Sequence, residues 1–351
     1  MRKAVSCTSP KNFTMLKKSI ITGVGHYVPE NVVTNNDLAA RMSTSNEWIV
    51  ERTGINERRH VVPGGEDTTA TMGTKAARIA IANAGLTPDD IDFIVFATLS
   101  PDYYFPGPGV QVQEQLGLQR EIGALDVRNQ CSGFIYSLSV ADQFIKTGMY
   151  KNILVIGSEL HSGGLDFTDR GRNVSVIFGD GAGAVVLSAS DDDHRGILST
   201  HLFSEGKHAK ELALTAPSTR DWIPNILQRN DPEETDYYPY MNGNFVFKHA
   251  VVRFAEAIQA ALKTNGVRPE EIKLLIPHQA NLRISQFIQQ SMKLRDDQVY
   301  NNIMRYGNTT AASIPIALSE AHAEGRIQKG DLVLFAAFGS GFTWASALMR
   351  W

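Results

Sequence analysis

Two cysteines in 351 residues, Cys7 and Cys131, are too few and too far apart for a disulfide framework, and no Cys-x-x-Cys spacing marks a zinc site. An excess of charge of one sign is also missing. Lys and Arg number 34 against 37 Asp and Glu, a net charge of −3, which excludes a whole-surface field drawing in nucleic acid or an anionic membrane. No apolar run reaches the length of a membrane span. The opening MRKAVSCTSPKNFT (1–14) is basic but lacks the apolar stretch of a secretory leader, so it reads as a disordered extension ahead of Met15. These absences point to a reducing, cytoplasmic setting without nucleic acid or membrane among the partners. What is present is globular in character. A 43% hydrophobic and 20% charged composition can bury one large core or two medium ones.

Short β-branched apolar runs alternate with longer helical periods, which predicts an α/β fold built in layers. SIITGVGHYV, IDFIVFATLS, EIGALDV and NILVIGSE read as strands. TTATMGTKAARIAIANAG and CSGFIYSLSVADQFIKTG read as helices, and FGDGAGAVVLSAS as a hairpin closing a first half, 15–190. A second half, 195–351, repeats the rhythm with GILSTHLFSEG, the long helix GNFVFKHAVVRFAEAIQAALKTNG, IKLLIPHQA, two further helices, and the strand pair DLVLFAAFG and FTWASALMRW. The order suggests a structural duplication. Residues 215–240, rich in Pro, Asp and aromatics, break the rhythm as a loop or lid.

Three polar residues stand out at element ends. Cys131 follows the strand ending in Asp126-Val127 and opens an apolar helix, where unpaired N–H groups and the helix dipole favour a thiolate. His278 lies just beyond the apolar run KLLI, and Asn308 follows Gly307. Each has an ordinary explanation when taken alone: an inert buried thiol, a satisfied strand-end histidine, a Gly-Asn turn. Together they form a nucleophile and two neutral donors, a set suited to carbon–carbon bond formation from thioesters through an acyl-cysteine. GDGAGA lacks the strand–GxGxxG–helix context of a dinucleotide loop and reads as packing glycine.

The motifs GVGHYVPENVVTN, WIVERTGINERR, CSGF, FGDGAGAVV, MNGNFVFK, PHQANLRI, GNTTAASIP and FGSGFTW resemble those of the 3-oxoacyl-(acyl carrier protein) synthase III family, from about Met15 to Trp351. The resemblance implies a thiolase-like fold of two pseudo-duplicated halves in five layers, α/β/α/β/α, and a homodimer. It also implies decarboxylative condensation of an acyl-CoA primer with malonyl-acyl carrier protein, with no metal and no further cofactor. Carried over by position, Cys131 is the acylated nucleophile, and His278 and Asn308 promote decarboxylation and condensation. The backbone N–H groups of Cys131 and Ser340 form the oxyanion hole, Ser340 standing where the family's middle glycine would be. Trp48, Arg52, Arg172, Gly243, Phe247 and Asn281 match coenzyme A positions. Phe105, Phe134 and Phe338 are expected around a shallow acyl pocket, with Phe105 crossing to a partner subunit. Lys248, Arg253 and Arg283 are expected to dock the acidic carrier protein. Asn129 and Gln130, polar just before the nucleophile, and the 215–240 insert keep one alternative open, an acyltransferase or condensing enzyme of secondary metabolism with another acceptor; a second alternative, a non-catalytic carrier-binding partner, is opposed by the intact Cys131, His278 and Asn308.

Overall fold

The computed structural model describes residues 17–218 and 236–351. The expected extension at 1–14 and most of the 215–240 insert lie outside the described residues. At the insert's edges, Ala216 N–H donates to the Asp236 carbonyl at 2.9 Å.

Two sheets carry the fold. The first has the order β1 (Lys18–Tyr27), β7 (Gly181–Ser190), β6 (Asn152–Glu159), β4 (Phe93–Ala97), β5 (Gly123–Val127). The second runs β8 (Gly196–Ser204), β13 (Thr343–Arg350), β12 (Leu332–Gly339), β11 (Leu274–Pro277). Within each, in the order given, the first two pairings are antiparallel and the rest parallel. The place of β5 is taken in the second sheet by a single parallel bridge, Leu275 to Val299. One topology is therefore used twice.

Layering follows from which faces are apolar. The helices Gly133–Lys146 and Ser313–Ala323 lie between the sheets, in a core that joins Val95, Phe134, Leu138 and Val185 to Ile276, Leu318, Phe335 and Ala347. The helix Thr69–Asn83 covers the outer face of the first sheet through Met72, Ala76, Ala77 and Ala80. The helix Gly243–Asn265 covers the second through Ala250, Phe254, Ala257, Ile258 and Ala261, an i, i+4, i+7, i+8, i+11 pattern that puts all five on one stripe. Asn242 caps its start, and Gly266 ends it at φ +62°, a conformation costly for a side chain with a Cβ. The result is the thiolase-like α/β/α/β/α stack.

One expected element changes. The FGDGAGAVV segment forms no hairpin. It is the single strand β7, inserted antiparallel between β1 and β6. Its glycines serve packing, because a Cβ on Gly183 would come within 2.7 Å of the Ile316 N.

Candidate active site

Cys131 lies in the 3-10 turn Gln130–Ser132 that leads into the helix Gly133–Lys146. The corresponding turn of the second half, Thr310–Ala312, leads into Ser313–Ala323, and the two turns pack against each other. Both begin on a non-glycine residue in the left-handed region, Gln130 at φ 44° and Thr310 at φ 48°. Such a conformation costs of order 1–3 kcal/mol and persists only where the surroundings fix it. At Thr310 they do: its N–H donates to Asn308 Oδ1 at 2.8 Å and its hydroxyl meets His161 Nε2 at 2.8 Å.

The end of β12 closes over the thiol. A Cβ on Gly339 would stand 2.7 Å from Cys131 Sγ, so only glycine lets this strand pass. The backbone N–H groups of Ser340 and of Cys131 itself lie near the sulfur and favour its anion. The Ser340 hydroxyl turns away and donates to the Leu212 carbonyl, so the extra side chain leaves the two N–H groups their place.

The thiolate expected from the helix terminus is not the resting state. Burial pushes the Cys131 thiol up to about 12, the Glu159 carboxylate adds to the rise, and the two N–H groups oppose it less strongly. Desolvation of an anion outweighs one helix end. His278 is fully buried as well, and desolvation, helped by His161, lowers it to about 3 and keeps it neutral. Its Nδ1 meets Ser313 Oγ at 2.7 Å, and its N–H backbone group is tied to Ala336 at 2.8 Å. Nε2 has no hydrogen-bond partner. An unpartnered buried nitrogen is costly in a folded protein and marks a place for a ligand atom. Asn308 is fixed by its Oδ1 bond to Thr310, by its N–H on the Ile177 carbonyl at 2.9 Å, and by its carbonyl, which accepts from Gly179 N–H at 3.1 Å. Its NH2 group remains to donate.

Glu159, Ser313 and His161 were not singled out from the sequence. Glu159 carried the only available signal, an acid ending the apolar run NILVIGS. Its carboxylate accepts from Ser100 Oγ at 2.7 Å, Thr98 Oγ1 at 3.0 Å and Leu99 N–H at 3.1 Å, and from Ala311 N–H at 3.4 Å across the halves. Burial pushes it up to about 7 against those bonds. Above that pH its charge opposes ionisation of Cys131. Glu159→Gln is therefore expected to speed alkylation of Cys131 by iodoacetamide above pH 7, by about three- to tenfold for a thiol shift of 0.5–1 unit, and to leave it unchanged below pH 6. Peptide mass mapping across pH 6–9 gives the readout, and parallel profiles for the two proteins would contradict it.

The comparisons agree with this geometry. Residues 125–206 match the model of 3-oxoacyl-[acyl-carrier-protein] synthase III, and 262–351 match that of its C-terminal part. A β-ketoacyl-[acyl-carrier-protein] synthase III of Rhodospirillum centenum is 46% identical over 338 residues, 95% of this chain and 99% of the relative. The crystal structure of 3-oxoacyl-[acyl-carrier-protein] synthase III from Aquifex aeolicus superposes with a TM-score of 0.86 at 42% identity, covering 95% of this chain and all of the other. This chain belongs to the 3-oxoacyl-[acyl-carrier-protein] synthase III family. It is an acyl-transferring condensing enzyme of the type that initiates fatty acid synthesis. The priming β-ketosynthase of the R1128 polyketide pathway is a more distant likeness, at 30% identity and TM-score 0.86, covering 95% or more of both chains.

Several of the residues expected to hold the coenzyme touch one another in pairs. Two guanidinium groups lie against the Trp48 ring, Arg52 at 4.5 Å and Arg172 at 4.9 Å from its centre. Asn281 donates to the Arg52 carbonyl at 2.9 Å and caps the helix Leu282–Ser291 through Arg283 N–H. Arg283 reaches over Phe247 at 5.8 Å, and Gly243 opens the helix one turn before Phe247. A cavity of about 830 Å³ opens between the 166–175 loop and the Tyr240–Met241 strand, lined by Arg170, Asn173, Lys210 and Met241 among others.

Three expectations need correction. Phe134 is fully buried in the central core, edge-on to Phe335 at 6.4 Å, and lines no open pocket, because the helix turns it toward the sheet. Phe338 packs on Phe342 at 4.9 Å in the core of the second sheet, so the three phenylalanines do not meet within one chain. Phe105 is 82% exposed. Arg253 is committed internally, to Glu205 at 3.0 Å, Glu256 at 2.7 Å and the Trp344 ring at 4.6 Å, whereas Lys248 and Arg283 are exposed.

Proposed function

We propose that Cys131 carries the acyl group in this condensing enzyme and that His278 and Asn308 stabilise the enolate that attacks it. The observation that carries the reading is the pairing of a thiol beneath two N–H groups with a buried, neutral histidine whose Nε2 has no partner. In the first half-reaction Cys131 S–H attacks the thioester carbonyl of acyl-CoA. The oxygen's developing charge is held by the N–H groups of Cys131 and Ser340, the C–S bond to coenzyme A breaks, and the thiol proton leaves with the coenzyme. The N–H groups favour this state over the resting thiol because they are already in place.

In the second half-reaction malonyl-carrier protein loses carbon dioxide, and its thioester oxygen becomes an enolate. Gln279 N–H donates to Ser313 Oγ at 3.4 Å, so the Ser313 proton is free to point at His278 Nδ1, which leaves the ring proton on Nε2. That N–H and the Asn308 amide are then the enolate's two donors. The enolate carbon displaces Cys131, which takes up a proton, giving 3-oxoacyl-carrier protein. Neither step transfers electrons, so the reaction needs no redox cofactor.

Trp48, Arg52 and Arg172 suit the adenine and phosphates of coenzyme A, and Gly243, Phe247 and Asn281 its pantetheine arm. Lys248 and Arg283, exposed beside Phe247, suit an acidic carrier protein. Among the described residues no helix is long and apolar enough to cross a membrane, and a cytoplasmic setting fits the thiol chemistry. Fatty acid synthesis is favoured over secondary metabolism by identity: 46% and 42% to the synthase III relatives, 30% to the polyketide enzyme. Intact mass after incubation with a panel of acyl-CoAs, followed by malonyl-carrier protein, tests the sequence of events. One acyl mass should appear and then vanish as carbon dioxide is released. No adduct with any acyl-CoA would refute the reading.

A homodimer is part of the same proposal. Tyr103, Tyr104, Phe105, Val110 and Leu125 are exposed beside β5, the free edge of the first sheet. Burying them against a second copy would extend the sheet and send Phe105 into the partner's acyl chamber. Native enzyme should then prefer acetyl and other short primers. Phe105→Ala should admit longer ones, gaining about tenfold for two further methylenes at ~0.8 kcal/mol each. Competition among acyl-CoAs measures this, and native enzyme that loads dodecanoyl-CoA as readily as acetyl-CoA would show an open chamber.

A further inference from the structure

Behind the oxyanion loop lies a cluster that the condensation chemistry does not use. Glu205 follows β8, His208 lies in the 3-10 segment Gly206–Glu211, and His249 is on the helix Gly243–Asn265. One ligand atom from each lies within 4.8 Å of the others. We propose that these three residues bind a divalent transition-metal ion, with zinc the best match to two imidazoles and a carboxylate. Bringing them to bonding distance of a common ion takes side-chain movements of about 1 Å.

The surroundings resemble a metal site's outer shell. The two imidazole rings are 4.8 Å apart, with the rings of Phe245 and Phe342 within 5.5 Å of His208 and within 5.4 Å of His249. An apolar wall of this kind limits the water that competes for an ion. The Glu205 carboxylate is held on one oxygen by Arg253 at 3.0 Å, which orients it as an outer-shell partner would. Its other oxygen is held by Lys207 at 2.6 Å. Lys207 is 64% exposed and can return to water at little cost, so it is the group an incoming ion displaces.

Position gives the site a consequence. The backbone of Glu205 exchanges two hydrogen bonds with Phe342, N–H to carbonyl at 2.8 Å and 2.9 Å. Phe342 directly follows Gly339-Ser340-Gly341, the loop whose Ser340 N–H group lies near the Cys131 sulfur. An ion held by Glu205 and by a residue of the long helix would tie that loop to the outer layer.

The test is a cobalt(II) titration of the full chain with Cys7→Ser and Cys131→Ser, followed by zinc competition. Visible d–d absorption that saturates at one equivalent and is abolished by zinc is expected, together with a raised melting temperature. His208→Ala, His249→Ala and Glu205→Gln should each weaken binding by at least about tenfold. Lys207→Ala should tighten it, which neither adventitious surface binding nor a misfolded variant would produce. Absence of the d–d bands, or affinities unchanged in the histidine variants and in Lys207→Ala, would overturn the proposal.

Discussion

Cys131→Ala is expected to abolish transfer of an acyl group from acyl-CoA to the enzyme while leaving the fold in place. In the proposed mechanism the sulfur is the covalent carrier, buried under the end of β12 at Gly339. The substitution removes one small buried atom next to Gly339, which tolerates the space. Intact mass should show one acyl adduct on the native chain and none on the variant, with closely similar thermal unfolding. Equal labelling of the two would place the acyl group elsewhere and remove the basis for the mechanism.

His278→Ala and Asn308→Ala are expected to slow decarboxylation of malonyl-carrier protein by about 10²–10³, the usual loss for one oxyanion donor, with a smaller effect on the first acyl transfer. The asymmetry follows from timing, because the enolate exists only in the second half-reaction. Asn308 has a structural duty as well, since its Oδ1 holds Thr310 in the left-handed region. Asn308→Asp separates the two roles: it keeps that acceptor and loses the donating amide. Asn308→Asp as slow in decarboxylation as Asn308→Ala would assign the loss to the donor. Native rates of carbon dioxide release in His278→Ala would exclude Nε2 as a donor.

Much of this was legible in the chain. Short β-branched apolar runs placed the strands β1, β4, β6, β12 and β13, most of them buried on both faces, and a period of three to four placed the helices that cover them, because burial imposes its pattern directly on the residues. Cys131, His278 and Asn308 were found through motifs, and the structure puts them on two packed turns and a strand end. The failures share a cause. FGDGAGAVV is a lone strand and no hairpin, since its partners β1 and β6 are set by the sheet and not by neighbouring residues. Phe134 and Phe338 looked like pocket walls by proximity to motifs, yet each faces a core. Arg253 looked free to dock a partner until Glu205, Glu256 and Trp344 were seen around it.

Sequence by itself determined the family and the layered α/β class, pointed to the duplication, and singled out Cys131, His278 and Asn308 as the candidate nucleophile and donors, because these rest on residue type and local spacing. Tertiary structure alone decided their chemical state. The protonated Cys131 thiol, the neutral His278 with a bare Nε2, and the Glu159 carboxyl raised to about 7 all arise from desolvation by residues distant in the chain. A pKa depends on the dielectric and charges within a few ångströms, and only folding brings those groups together.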